Sequence, residues 1–483
     1  MFRQLEQKSQ KHKELLRVKG PLPSAIVNEN FQFQINSALL ALKRSPLKKD
    51  YNDVLKIFEL YKSDLNCVNL STLLSILGHT KRKSEIVAIR QDERFQMIVL
   101  LIIEKLSEGE WWNSQSLSSS LYILGKMVGM KGGVVEPGEK SFSTCDNTKI
   151  YEIFDFVNSN MADFLISKGS THEIAMTVWS CAAVKHFAPN IFRAVSADRE
   201  RIIEECNPQE MSLICWSFAT TRHDDPELFD LIAKNSSKVL AGGPQVISNV
   251  AWSFASNKVR NLDLFRSIAG RSDLLLLDGN PQAIANTMWA FAVLGIYDGV
   301  VVNLWEALVN CTDDEQAGMK LELYVQMYQF LISVSVEAKE LELADVGEEM
   351  KKRILSATKR NKVRVSKSQL HVSRVLKSLG FEHEIEKSPL GRGDRFLSLD
   401  MADEARKIAI EFDGPYHYLR RGGRECAMNT ALTVDGRTAF KTRVLGKMGW
   451  RVIRISYLDW QKLKNKEEQF EFLMVSFKSI LEL

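Results

Sequence analysis

Apolar residues recur with helical spacing between residues 171 and 295, in four copies that are each centred on a tryptophan. The tryptophans are spaced by 37, 36 and 37 residues: Trp179, Trp216, Trp252 and Trp289. Counted from a Thr or Pro eight residues before each tryptophan, positions +3, +7, +8, +10 and +11 are apolar, which predicts a helix. An Ile-Phe or Leu-Phe pair after the first three tryptophans predicts a second helix. A fixed period of this length predicts an α-solenoid of helix-turn-helix repeats, in which each repeat buries its apolar face against its neighbours.

A second stripe of the first helix, at positions +2, +5, +6 and +9, varies from copy to copy and is partly polar. Helical repeats that recognise RNA use two or three side chains for each base, and a variable stripe beside a constant one suits that task. Four polar residues of this stripe are therefore candidates for base contacts: Thr177, Asn249, Asn286 and Thr287. The alternative is that the stripe faces solvent or the next repeat.

Basic residues stand fourteen positions after the start of three repeats: Lys185, Arg222 and Lys258. We expect these cations to contact phosphates, since phosphate neutralisation supplies much of the affinity for nucleic acid. The alternative is that they favour the negative C-terminal ends of their helices.

Weaker copies of the repeat flank the four clear ones, with Leu74, Leu121 and Tyr328 in the tryptophan position. The chain is therefore predicted to contain a basic N-terminal tail at 1–30, a helical repeat region at 31–345 with its clearest repeats at 171–307, a basic linker at 346–367 and a C-terminal domain at 368–483. The linker holds eight Lys or Arg and no acid between residues 351 and 367. This run suits either a phosphate contact or a solvated helix.

The C-terminal region alternates between helical and strand-like patterns. A helix is predicted at 368–380, strands at 382–387, 396–401 and 407–412, a helix at 437–448, a strand at 451–456 and a closing helix. Helix, three strands, helix and strand is the element order of a restriction-endonuclease-like core. The predicted fold class is thus an α-solenoid followed by a small α/β restriction-endonuclease-like domain.

Candidate chemistry lies in the segment Ala409-Ile-Glu-Phe-Asp-Gly-Pro-Tyr-His-Tyr418. Strand alternation places Glu411 and Asp413 on one face, and Asp400 ends the preceding strand. Converging carboxylates suit Mg²⁺, with His417 as an acid, a base or a phosphate donor. The alternative is structural: Asp413-Gly414 forms a turn and His417 packs between two tyrosines.

Composition restricts the other function classes. The net charge is only +4, so a nucleic-acid surface must be local. Seven scattered cysteines lack zinc spacing and favour a reducing compartment. No apolar run approaches the length of a membrane span. Two acidic residues within the first eighteen residues do not favour an organellar transit peptide.

The repeated phrase Pro-Gln…Asn-x-x-Trp-[Ser/Ala]-Phe-Ala resembles the octotricopeptide repeats of algal and protist organellar RNA-binding proteins. The resemblance covers four copies, about a quarter of the chain. It implies a chloroplast or mitochondrial protein that binds specific transcripts and governs their stability, processing, splicing or translation.

A second resemblance covers residues 399–463, which closely resemble the RAP domain. It is carried by the segment around Glu411 and by Lys441, Leu445, Gly449-Trp450-Arg-Val-Ile-Arg-Ile455 and Trp460. The RAP domain is related to nucleases of the PD-(D/E)xK type, which implies that Asp400 and Glu411 are the metal-binding acids. The catalytic lysine expected two residues after Glu411 is Asp413 here, and Lys441 is the candidate to replace it. The loop at 419–424 offers instead a cationic RNA contact through Arg420, Arg421 and Arg424.

Three hypotheses follow. The first is a sequence-selective protein that binds single-stranded RNA, either an organellar transcript or an rRNA, without a cofactor. The second is a Mg²⁺-dependent ribonuclease that uses Asp400, Glu411 and Asp413 with help from His417 or Lys441. The third is a scaffold whose repeats bind protein partners. The missing lysine favours the first hypothesis over the second.

Overall fold

The protein is mostly helical, with a small sheet near the C-terminus. The computed structural model describes residues 24–44, 51–80, 82–110, 112–129, 147–311, 319–359, 365–391, 396–421 and 433–481. The chain divides into two compact units, Met1–Asp198 and Arg199–Leu483. Residues 1–23 of the predicted tail lie outside the described residues.

Ten α-helices are described in the first unit. They are α1 (Ser24–Arg44), α2 (Tyr51–Tyr61), α3 (Cys67–Leu77), α4 (Lys83–Gln91), α5 (Glu93–Ser107), α6 (Ser114–Gly129), α7 (Thr148–Asn160), α8 (Ala162–Lys168), α9 (Thr171–Ala183) and α10 (Pro189–Ala197). Helix α3 packs on α6, and α6 packs on α9. The contact between α6 and α9 is close, because a Cβ added at Gly125 would lie 3.0 Å from the Cα of Ser180.

The second unit contains the remaining repeat helices. They are α11 (Arg199–Glu205), α12 (Pro208–Thr221), α13 (Pro226–Lys234), α14 (Ser236–Leu240), α15 (Gly243–Ser256), α16 (Leu262–Ala269), α17 (Ser272–Asp278), α18 (Pro281–Val293), α19 (Val300–Val309) and α20 (Leu321–Glu337). Helix α12 packs on α15, α15 on α18, and α18 on α20. The first helices of successive repeats thus lie side by side, while the predicted solenoid class as a whole stays a prediction.

The buried face of these first helices follows the predicted spacing with one exception. In the third repeat Ile247, Ala251, Phe254 and Ala255 are fully buried, as expected for positions +3, +7, +10 and +11. Trp252, at position +8, is instead partly exposed. Assigning Trp252 to the packing face was therefore wrong, because position +8 lies on the same side of a helix as positions +1 and +5. In the fourth repeat the tryptophan at this position, Trp289, is 1% exposed, as predicted.

Two short strands, β1 (His223–Asp224) and β5 (Arg420–Arg421), form a separate pair. The C-terminal part of the second unit combines five helices with a four-stranded sheet. The elements are α21 (Glu348–Lys359), α22 (Lys367–Ser378), β2 (Glu384–Lys387), β3 (Leu399–Asp403), β4 (Ile408–Asp413), α23 (Gly436–Lys447), β6 (Arg451–Ser456), α24 (Tyr457–Lys462) and α25 (Lys466–Leu481). Strands β2, β3 and β4 run antiparallel, and β6 is parallel to β4. The predicted element order is observed, with end points within three residues; whether the domain is restriction-endonuclease-like stays a prediction, as do the domain boundaries.

One face of this sheet forms a small apolar core. Ile408 and Ile410 of β4 pack there with Ile455 of β6 and with Val372 and Leu376 of α22. The alternation of β4 therefore directs its two carboxylates to the opposite face, toward α23.

Helix α23 also packs on the repeat helices α15, α18 and α20. Gly436, its first residue, lies so close to α15 that an added Cβ would be 1.7 Å from the carbonyl oxygen of Ala255. A second link is a short parallel pairing between β1 (His223–Asp224) and β5 (Arg420–Arg421), where the amide of Arg420 donates to the carbonyl of Arg222 over 2.7 Å. The C-terminal sheet domain is thereby attached to the second, third and fourth clear repeats and to α20.

None of the helices in the described ranges is long and apolar enough to cross a membrane.

Replacing Gly436 by Ala tests this packing. The new methyl group meets the α15 backbone, which cannot move aside as a side chain would, so we expect a loss of about 1–3 kcal/mol in the free energy of unfolding. Gly446→Ala is the matched control in the same helix, because nothing lies within 4 Å of its added Cβ. The control should be neutral or stabilising by up to about 1 kcal/mol. Thermal unfolding of both variants measures the difference, and equal melting temperatures would contradict the close packing.

Candidate functional site

The surface stripe of the repeat helices is formed by positions +1, +5 and +8. In the third repeat these are Gln245, Asn249 and Trp252, and in the second they are Gln209, Leu213 and Trp216. All six side chains are partly or fully exposed. The exposed stripe therefore contains one aromatic position, one position that is Gln in three of the four repeats, and one variable position. It is shifted by one residue from the predicted stripe.

Two of the four predicted base-contacting residues do not face this surface. Thr177 and Thr287 are both 0% exposed, and their hydroxyl groups donate within their own helices to the carbonyl oxygens of Glu173 and Ala283. The expectation that position +6 is open was wrong, because this position is packed inside the protein. A buried threonine satisfies its hydroxyl four residues back in the helix, as both do here.

Asn249 and Asn286, at position +5, do lie on the exposed stripe. Asn249 accepts a 2.8 Å hydrogen bond from Gln245 one turn earlier. Asn286 accepts from Gln282 over 3.0 Å and from Gln326 of α20 over 2.9 Å. Adjacent repeats therefore present a ladder of side-chain amides at their surface.

Aromatic rings and a cation complete this ladder. The rings of Trp252 and Trp289 are stacked with centroids 6.4 Å apart. The guanidinium of Arg437, at the start of α23, lies 5.5 Å above the ring of Trp289. The indole of Trp289 donates to Gln329 of α20 over 2.5 Å. The C-terminal domain thus places one of its own cations at the end of the repeat stripe.

The three cations at position +14 share a backbone conformation that the sequence did not indicate. Lys185, Arg222 and Lys258 all have φ between 56° and 60°, in the left-handed region. Gly295, at the same position of the fourth repeat, has a φ of 64°. In the third repeat the amide of Lys258 donates to the carbonyl of Ala255, which closes the helix end. These residues terminate the first helix of each repeat, whatever else they contact.

The structure separates the three cations by environment. Lys185 lies exposed in the first unit, and Lys258 is exposed in the second. Arg222 is less exposed, because its guanidinium lies 5.1 Å from the ring centroid of Tyr416 and its Nε lies 3.8 Å from Asp435. Arg222 is therefore engaged by the C-terminal domain.

The predicted carboxylates converge on the face of the sheet that α23 covers. Glu411 is 3% exposed and accepts a 2.5 Å hydrogen bond from the Nζ of Lys441, which also donates to the carbonyl of Ser398. Asp400 accepts a 2.7 Å bond from the amide of Phe412, and its own amide donates to Glu411 over 3.3 Å. Lys441, proposed from sequence as a displaced lysine, does reach Glu411.

Asp413 occupies a separate subsite next to Glu411. Arg454 of β6 donates hydrogen bonds to both carboxylate oxygens of Asp413, and the hydroxyl of Tyr418 donates to the same carboxylate over 3.1 Å. The Nδ1 of His417 lies 3.6 Å from Asp413 and 3.1 Å from the hydroxyl of Thr438. Burial lowers the pKa of His417, and the nearby cation Arg454 adds to this effect against the opposing charge of Asp413. A mainly neutral imidazole follows at neutral pH.

Basic side chains contact two of the three predicted carboxylates. Lys441 occupies Glu411 and Arg454 occupies Asp413, so that two of the three carboxylates already have a cation in contact. Within the described ranges, no group of three or more His, Cys, Asp or Glu side chains is placed to hold a metal. The predicted metal pair, Asp400 and Glu411, and the catalytic roles of Asp413, His417 and Lys441 stay untested predictions.

The predicted cationic loop is only partly described. Arg420 and Arg421 form β5 and pair with the second repeat, while Arg424 lies outside the described residues. The backbone of this segment therefore links the domain to the repeats.

Sequence reasoning missed several residues at these sites. Arg443 donates to the carbonyls of Ala292 and Val293 at the end of α18 and to Glu337 at the end of α20. Arg437 and Arg454 were also missed. A basic residue in a helix or strand pattern has many explanations, and the partners named here for these three lie 41 to 151 residues away in the chain. No local signal marks such pairs.

Replacing Asp400 by Asn tests the electrostatics of the cluster. Burial raises the pKa of Asp400 to about 7, and the charge of Glu411 adds to the shift. The folded protein then holds this proton more tightly than the unfolded chain, in which Asp ionises near pH ~3.9. The free energy of unfolding therefore falls as the pH rises from about 4 to about 7, and Asn, which retains the bond from Phe412, removes that loss.

We compare the free energy of unfolding of Asp400→Asn with that of the wild type. As the pH rises from 4 to 8, we expect this difference to increase in favour of the variant by about 1–3 kcal/mol. The measurement is denaturant unfolding at several pH values. Asp459→Asn is the control, because this carboxylate is partly exposed and paired with Lys462 at the surface. A stability difference between Asp400→Asn and the wild type that does not change with pH would contradict the raised pKa.

Comparison with known proteins identifies a domain family in the region of this charged cluster. Residues 410–474 match the model of the RAP domain. Over 113 residues, 23% of this chain, the protein is 33% identical to a RAP domain-containing protein, chloroplastic, from Oryza sativa subsp. japonica. That match covers 16% of the rice protein, so the similarity concerns one region of each chain. Residues 410–474, which include Glu411, Asp413, α23 and β6, therefore contain a RAP domain.

Proposed function

We propose that this protein binds single-stranded RNA sequence-selectively along the exposed stripe of α12, α15 and α18, with the RAP domain fixed at the ends of these helices. The observation that carries the proposal is the stripe itself. It combines the partly exposed Trp216 and Trp252 with a ladder of Gln and Asn side chains, and it ends at Trp289, which is 1% exposed and lies beneath Arg437 of the RAP domain.

The chemistry of the stripe suits unpaired bases. Aromatic rings stack on bases of any identity, which contributes about 1–3 kcal/mol for each base. Amide side chains add selectivity, because Asn and Gln form paired hydrogen bonds with adenine and related edges. Asn249 and Gln245 already bond to each other in the free protein, and both groups retain capacity for further bonds.

The RAP domain contributes the positive charge of Arg437 and fixes the position of this residue. Its acids are matched by Lys441 and Arg454 within the domain, whereas Arg437 faces the tryptophan stripe. In this proposal the buried carboxylates orient α23 on the sheet, and α23 in turn holds Arg437 over Trp289. The proposal needs no metal.

The rice relative supports a chloroplast location, since its name states that it is chloroplastic. It gives no support to the mitochondrial alternative. We propose that the RNA partner is a chloroplast transcript or rRNA and that binding acts in its stability, processing, splicing or translation.

Replacing Asn249 by Ala tests the stripe as the base-reading surface. The variant loses one amide contact, so we expect about tenfold weaker binding to the preferred RNA and an altered base preference at one position. The measurement is fluorescence anisotropy of the full chain with RNA selected from a random pool. Asn303→Ala is the matched control, because Asn303 is an exposed residue in the middle of α19, outside the stripe, and its affinity should equal that of the wild type.

Three other outcomes would contradict this proposal. Unchanged affinity and unchanged base preference in Asn249→Ala would remove the stripe as the reader. Weak RNA binding without sequence preference would favour the scaffold hypothesis. RNA cleavage that requires Mg²⁺ and is lost in Glu411→Gln would favour the nuclease.

A further inference from the structure

A cleft of about 770 Å³ lies between the ends of three repeat helices and the RAP domain. Its walls come from the C-terminal ends of α15, α18 and α20 on one side and from α23 on the other. Ligand pockets for small molecules typically measure about 300–1,000 Å³, so the cleft is large enough for one nucleotide. All of these elements belong to the second compact unit.

The cleft has an unbalanced charge. Five basic residues and one acid line it: Lys258, Arg260, Arg443, Lys447, Arg454 and Glu337. Arg443 is paired with Glu337, and Arg454 is paired with Asp413. Lys258, Arg260 and Lys447 have no acidic partner within the described part of the chain. Three positive charges therefore remain at its rim.

The negative ends of the neighbouring helices do not offset this charge. The carbonyl oxygens of Ala292 and Val293, at the end of α18, each accept a 2.6 Å bond from Arg443. The next carbonyl, that of Leu294, accepts from Arg260 over 3.2 Å. Arginine side chains thus satisfy the carbonyls that would otherwise repel an anion.

Apolar side chains form the floor of the cleft. Val293 and Leu294 are buried at the end of α18, and Val434 and Ala439 of the RAP domain are partly buried near them. Tyr297 adds a partly buried ring whose hydroxyl donates to Glu337. The lining of the cleft thus combines apolar side chains with three cations, the two kinds of contact that a base and its attached phosphate require.

We propose that this cleft binds one nucleotide of single-stranded RNA, with the base on the apolar floor and the phosphate between Lys258, Arg260 and Lys447. This inference rests on the proposed RNA-binding function and adds a second point of contact, at the ends of the repeat helices rather than on their exposed stripe. Lys258 is then both the residue that ends α15 and a phosphate ligand.

The test removes two rim cations from the full chain by combining Lys258→Asn and Lys447→Gln. Asn is chosen at 258 because it tolerates the left-handed backbone found there. The matched control, Lys464→Gln with Lys466→Gln, removes two exposed cations of the same domain outside the cleft. Equal melting temperatures of the two double variants establish that both are folded.

Binding of a single-stranded 12-mer is measured by anisotropy between about 50 and 200 mM salt. We expect the cleft variant to lose about tenfold in affinity and the salt slope to decrease by about 1.4, the value for two phosphate contacts. The control should keep the slope of the wild type. Equal losses in the two variants, or no loss in the cleft variant, would overturn the proposal.

A titration with uridine 5′-monophosphate shows whether the cleft binds a nucleotide of RNA or a free nucleotide. It also distinguishes failure of the cleft inference from failure of the proposed function. If the wild type binds RNA but neither double variant is affected, the cleft inference fails and the proposed function stands. If the wild type binds no RNA but binds the mononucleotide, and the cleft variant does not, the proposed function fails and the cleft binds a free nucleotide. Binding of an oligoglutamate peptide at the cleft without an effect on RNA would also overturn the proposal.

Discussion

The contact of Arg443 with the end of α18 is the interaction on which the rest of the second unit depends. A helix exposes unpaired carbonyl oxygens at its C-terminus, and these need donors wherever the helix end is covered. Arg443 supplies donors to two of these carbonyls and to Glu337, whose side chain is 6% exposed. Because one residue donates to the terminal carbonyls of α18 and pairs with the side chain of Glu337 at the end of α20, α23 is held across both helices.

The same short helix also organises the RAP domain behind it. Two residues before Arg443, Lys441 points to the sheet and contacts Glu411, while Arg454 of the adjacent strand holds Asp413. Buried carboxylates are stable only when cations or donors satisfy them, so α23 and the sheet depend on each other. The acids that resemble those of a nuclease thus have a structural reason to be present.

The extent to which sequence predicted these features follows from the range of the forces involved. The first helices of the repeats and the strands of the RAP domain arise from local periodicity, and α23 and β6 were predicted to within a residue. The exposed stripe was misplaced by one position, because Trp252 is apolar in character yet lies at the surface, and pattern alone cannot distinguish a surface aromatic residue from a core one. Contacts such as that of Arg443 with Ala292 join residues 151 positions apart, and they depend on a docking geometry that local patterns do not encode.

The three attachments of the RAP domain also limit how the repeats can change. β5 pairs beside the second repeat, Gly436 packs on the third and Arg443 binds the end of the fourth. Repeat proteins commonly gain or lose units because each unit contacts only its neighbours. Here an inserted or deleted repeat between the second and the fourth would displace at least one attachment by a full repeat. The RAP domain therefore fixes the number of repeats between the second and the fourth. A longer recognition site could evolve only by the addition of repeats elsewhere in the chain.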